Sequence, residues 1–218
     1  MVSANKLAEY AMDPSFVRDI ATTLGNNEPI PPVKAFLDYE LVGTGTYGYN
    51  LRPDEVIDLV GDKYLPPSML DTTVQYIGFS PELLNMPDNF AYSVIDHELT
   101  HAAEPKGKLA LKSIYADTPF GFLPVGEMLM EGWTEYSLEK RGKKSPSRHF
   151  DEMHGYGNTA YSQYRQFVYD VEGQSPGITR QIVKAARKGG PNAAIRLIES
   201  IPDIDSIVTK YAGRLAQN

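Results

Sequence analysis

Residues 5–24 read as helical, with Leu7, Phe16, Val17, Ile20 and Leu24 as the apolar positions. The segment Glu28-Pro29-Ile30-Pro31-Pro32 breaks that pattern. Residues 33–42 read as a strand and residues 44–50 as its partner. Pro53 suits the first turn of a short helix over 54–60. Residues 73–79, Thr-Val-Gln-Tyr-Ile-Gly-Phe, alternate and are rich in β-branched and aromatic side chains, which predicts another strand. Ser80-Pro81-Glu82-Leu83-Leu84 then turns the chain into a helix from Phe90 to Ala103. Asp88 or Asn89 is its expected N-cap, and Glu104-Pro105 its stop. Gly/Pro-bounded pieces over 104–125 read as a loop wrapping a cleft. A helical run follows from Gly126 to Lys140, and residues 156–172, 176–188, 192–199 and 203–216 read as further helices. No repeat or low-complexity segment interrupts the order.

Strands, then one central helix, then helices alone, predict an α+β protein. We expect an N-terminal lobe over residues 1–105 with the sheet and central helix, and a helical lobe over 106–218. The 218 residues, 42% of them hydrophobic, can bury a sizeable core as one unit with a cleft between these lobes. A net charge of −7 argues against a nucleic-acid partner or an anionic membrane. The basic stretch Lys140-Arg141-Gly142-Lys143-Lys144-Ser145-Pro146-Ser147-Arg148 contains Gly and Pro and reads as a solvated loop. No apolar run is long enough to span a membrane. Residues 1–20 have no signal-type apolar core. The expectation is a cytoplasmic protein, or a secreted one already trimmed. Cysteine is absent, so disulfide staples are too.

Within the central helix lies His97-Glu98-Leu99-Thr100-His101, which uses two of the four histidines in the chain. Side chains four apart share one helical face, so both imidazoles can reach one zinc ion at about 2.0–2.1 Å. Glu98 projects beside them, where it can take a proton from water. Val94, Ile95, Leu99, Ala102 and Ala103 surround the motif and predict burial. Unpaired polar groups there would each cost about several kcal/mol, which a bound cation removes.

A catalytic zinc ion takes three protein ligands and one open position. Without cysteine, the third must be His, Asp or Glu. The longer pattern HExxHxxGxxH fails, because Glu104 stands where it needs Gly and Gly107 where it needs a ligand. A glutamate on a second helix is the other solution. Glu127, Glu131 and Glu135 share one face of the Gly126–Lys140 run, among Met128, Leu129, Met130, Trp133 and Leu138.

HExxH followed by Glu131-Gly132-Trp133-Thr134-Glu135-Tyr136 resembles the gluzincin metallopeptidases. The likeness covers residues 90–103 and 127–136, and elsewhere extends only to general layout. It implies a zincin-like fold with Glu131 as the third zinc ligand, and Glu135 as the hydrogen-bond partner that orients a ligand histidine. Glu135 is the alternative ligand. It further implies that the strand before the active helix is a sheet edge on which substrate pairs, through Val74, Tyr76 and Gly78. A Tyr or His on the helical lobe would steady the oxyanion; Tyr164 and His154 are the foremost candidates, with Tyr156 and Tyr161 beside them.

The expected activity is hydrolysis of a peptide or protein substrate, with one Zn2+ ion polarising water and Glu98 as general base. The alternative is a catalytically silent zinc-bearing regulatory or binding module. One further motif, Gly43-Thr44-Gly45-Thr46-Tyr47-Gly48, has the form GxGxxG. No helix opens at its third glycine, so a glycine-rich hairpin accounts for it better than a nucleotide loop.

Overall fold

Asp13-Pro14 divides the first helical stretch. Pro14 has no N–H to continue a helix, and the Asp13 carboxylate accepts from Ser15 N at 2.8 Å, capping a new one. Two helices result in place of one, α1 (Ala4–Ala11) and α2 (Pro14–Leu24). The computed structural model describes residues 2–52, 71, 73–103, 109–155 and 159–217. The short helix expected over 54–60 lies outside them, as do Glu104-Pro105 and Tyr156. Among the described residues the fold is mixed α+β and mostly helical (64%), with small sheets. Residues Met1–Glu104 and Pro105–Asn218 form two compact units.

In the first unit, β1 (Val33–Leu37), β2 (Gly48–Leu51) and β3 (Gln75–Phe79) form a sheet of order β1-β3-β2. The strand expected over 33–42 stops early, because Asp38 accepts from Glu40 N and caps a 3₁₀ turn, Tyr39–Leu41. β1 runs parallel to β3, Val33 opposite Gln75 through Leu37 opposite Phe79. β2 runs antiparallel to β3 on its other side, Gly48 opposite Phe79 through Leu51 opposite Tyr76.

That order corrects one expectation. β3 is the central strand, buried at every position and paired along both sides. Tyr76 and Gly78 therefore offer no free edge, since the ladder groups of the strand are already used, and Val74 stands just before the strand with its N–H donating to the Asp71 carbonyl. Gly78 serves the sheet instead: the Tyr49 ring lies where a side chain would stand, and its hydroxyl donates to Asp38 at 2.8 Å.

Helix α3 (Asp88–Ala103) packs against α1, α2 and β2. Phe90, Ile95 and Leu99 join Leu7, Ile20, Ile77 and Phe79 among the buried side chains.

The second unit begins with α4 (Leu109–Lys112) and a hairpin of β4 (Ala116–Thr118) and β5 (Gly121–Leu123). Residues 109–123 are thus not the loop expected. α5 (Val125–Lys140), α6 (Pro146–His154), α7 (Ala160–Gln174), α8 (Ile178–Glu199) and α9 (Ile204–Leu215) follow. α6 occupies part of the stretch read as a basic loop, with Pro146 in its first turn. α8 is broken at Gly190 (φ 68°, ψ −167°) and Pro191, matching the two helices read there. Met128, Leu129, Phe167, Val168, Val171, Ile182 and Tyr211 fill the core. No described helix is long and apolar enough to cross a membrane.

Candidate metal centre

His97, Glu98 and His101 are 4%, 6% and 7% exposed, so α3 carries its polar triplet into the interior. The Nε2 atoms of the two histidines stand 2.9 Å apart, with the rings nearly perpendicular at 83°. Helical spacing explains the pairing, and burial explains its chemical consequence. Two imidazole nitrogens aimed at one point away from water need a shared proton or a shared cation.

Ligand atoms of His97, His101 and Glu131 all lie within 4.8 Å of one another, and among the described residues this is the group of metal-ligating side chains so assembled. Two imidazoles and one carboxylate make a donor set that suits divalent first-row ions, zinc among them.

The last turn of α3 is held by side chains distant in sequence. Arg52 Nη2 donates to the His101 carbonyl at 2.7 Å, Gln75 Nε2 to that of Ala102 at 3.1 Å, and Asn26 Nδ2 to that of Ala103 at 2.8 Å. A helix end leaves such carbonyls without partners of its own, and here all three donors are buried. The Arg52 charge also meets the negative end of the helix dipole. Just before the motif, Tyr10 donates to Asp96 at 2.8 Å. Sequence reasoning missed these residues, because nothing near each of them announces its distant acceptor.

Strand β2 lies along the same helix. A Cβ on Gly48 would stand 3.1 Å from Val94 Cγ1 and 3.2 Å from Glu98 Cγ. Alternation puts Asn50 on the strand face shared by Gly48 and Arg52. The Asn50 Nδ2 atom is buried and, among the described residues, has no hydrogen-bond partner.

On α5, Glu131 is half-buried and Glu135 wholly buried. Glu135 accepts from Ser147 Oγ at 2.5 Å and from Ser147 N at 3.3 Å, in the first turn of α6. Ser147 Oγ in turn accepts from Arg165 at 2.6 Å. Between the two acids, Gly132 brings α5 against α7: any Cβ there would run into the Tyr164 carbonyl and Val168. The Glu-Gly step thus has a packing reason.

Tyr164 is buried, its hydroxyl 3.5 Å from Glu127. Burial first, then the Glu127 and Glu131 charges, push its pKa up to about 12, so it remains a proton donor in neutral solution. Tyr161 is 47% exposed. His154 is exposed at the end of α6, its ring 4.3 Å from that of Phe150.

No protein-family model, no curated protein and no solved structure matches this chain.

Proposed function

We propose that this chain is a zinc-dependent peptidase with a zincin-like, gluzincin-type arrangement, acting on peptide or protein substrates. The observation that carries the reading is the grouping of His97, His101 and Glu131, with Glu98 buried beside the two histidines. His97, His101 and Glu131 would hold the ion, which when bound supplies Lewis acidity to water and to the scissile carbonyl. Glu98 takes a proton from the attacking water. The water oxygen bonds to the carbonyl carbon, the carbon–nitrogen bond breaks, and Glu98 returns the proton to the leaving amine. Tyr164, kept protonated, is the preferred donor to the carbonyl oxygen, ahead of the exposed His154.

Substrate pairing moves from β3 to β2. We place it there because β2 lies along the helix that carries Glu98 and, among the described residues, pairs with β3 alone. Asn50 supports the same placement. A buried amide donor without an acceptor is rare, and a substrate carbonyl would satisfy it.

The test is Glu98→Gln. The variant is expected to retain one metal ion per chain and to lose peptide hydrolysis by at least about a hundredfold. A wild type that cleaves no peptide at full zinc occupancy overturns the enzyme reading in favour of a zinc-bearing binding module.

A further inference from the structure

Gly43, Gly45 and Gly48 belong to one glycine-rich stretch, yet they are glycines for different reasons. Gly43 and Gly45 have φ of +76° and +78°, and nothing lies within 4 Å of where their side chains would be. They satisfy the backbone of a turn. Gly48 has no positive φ, so its backbone would accept any residue. What it lacks is room. A Cβ there would lie 3.2 Å from Glu98 Cγ, 3.4 Å from Glu98 Oε1 and 3.1 Å from Val94 Cγ1. Ordinary carbon contacts begin at about 3.5 Å.

We infer that Gly48 is a positioning residue for the general base: the bare backbone of β2 leaves the room in which the Glu98 side chain lies, its Cγ closest. This rests on the peptidase reading above. The strand is held from both sides. Gly48 is paired with Phe79 in the β2–β3 ladder, and Arg52, just past the end of the strand, is bonded to the His101 carbonyl. Both contacts oppose a retreat of β2 when a methyl group is added. Val94 Cγ1 and Glu98 Cγ must then give by a few tenths of an ångström, and the carboxylate is carried along with Cγ. A general base works within hydrogen-bond reach of its proton, about 2.6–3.2 Å, so a displacement of that size acts on the proton transfer itself. The nitrogens of His97 and His101 are not among the atoms nearest the added methyl. The expectation is that metal content is spared.

The experiment compares wild type, Gly48→Ala and Gly48→Ala/Val94→Ala for zinc content, kcat and KM on one peptide substrate, with a crystal structure of the single variant. The expected result for Gly48→Ala is unchanged zinc, kcat lower by about tenfold, little change in KM, and a displaced Glu98 carboxylate. The double variant removes the Val94 overlap and keeps that with Glu98, so its kcat stays low even if the single variant folds poorly. Recovery of kcat in the double variant assigns Gly48 to packing alone and overturns the inference. So does an unmoved carboxylate with wild-type kcat, or a loss of zinc in step with activity. If the wild type cleaves nothing at full zinc occupancy, the peptidase reading and this role fall together; an active wild type with an unaffected Gly48→Ala removes this role alone.

Discussion

Arg52 donates to the backbone carbonyl of His101 at 2.7 Å, so the helix bearing both histidines ends on a buried cation. The contact ties strand β2 to the last turn of α3. Arg52→Ala would strip a buried carbonyl of this donor and remove a charge complementary to the helix end. The expected loss is about 1–3 kcal/mol of stability, together with weaker zinc binding as the last turn frays. Urea melts and a zinc competition titration check it; wild-type values in both would show that the contact is incidental.

Gly132→Ala should damage the second unit. A methyl group there meets the Tyr164 carbonyl, which is backbone and has little freedom to retreat. Overpacking of this kind costs about 1–3 kcal/mol. Gly173→Ala on α7 is the control, because nothing lies within 4 Å of its side-chain position. It should be neutral or stabilising by up to about 1 kcal/mol, as glycine is a poor helix former. Thermal melts of the two variants, measured side by side, decide whether close approach or glycine content is at work.

Glu131 and Glu135 should separate cleanly. Glu135→Ala leaves the Ser147 hydroxyl and N–H without their buried acceptor, an expected destabilisation of about 1–3 kcal/mol. Glu131→Ala removes a metal-ligating group from a half-buried position and should leave the apo protein nearly as stable. Zinc per folded chain should fall far more in Glu131→Ala. Equal losses, or the reverse order, would make Glu135 the ligand.

How much of this was legible in the sequence depends on the range of the interaction. Residues 90–103 and 126–140 announce their helices through local periodicity and flanking prolines, and the i, i+4 spacing places His97 and His101 together. α6 escaped because Lys, Gly and Pro residues around 140–148 outweigh the short amphipathic stretch behind Pro146. The strand at 73–79 was visible from alternation, but its place in the sheet was not. Pairing with β1 and β2 is set by ladders between distant segments, and alternation looks alike in an edge strand and a central one. The three donors on the end of α3 were hidden for the same reason. Gly48 looked like one more turn glycine, because sequence does not distinguish a residue needing positive φ from one needing space.

Asp170 gives the second unit an acid-sensitive contact. Burial alone would raise its pKa, but Lys210 at 2.6 Å and the Tyr211 hydroxyl at 2.8 Å outweigh that and hold it below the usual aspartate range. A depressed carboxylate pKa contributes stability above the unfolded value, about 3.9, and loses it as pH falls through the folded value. Asp170→Asn should therefore lower stability by about 1 kcal/mol at neutral pH, and flatten the decline of Tm on the acid side. Melts between neutral and strongly acid pH give the comparison; parallel curves for variant and wild type would assign the acid sensitivity elsewhere.

The most direct measurement is anomalous diffraction at the zinc absorption edge from crystals of the zinc-loaded protein. The expected map has one peak per chain, within bonding distance of Nε2 of His97, Nε2 of His101 and a carboxylate oxygen of Glu131. A map without a peak there, with these three side chains directed apart, would contradict the account.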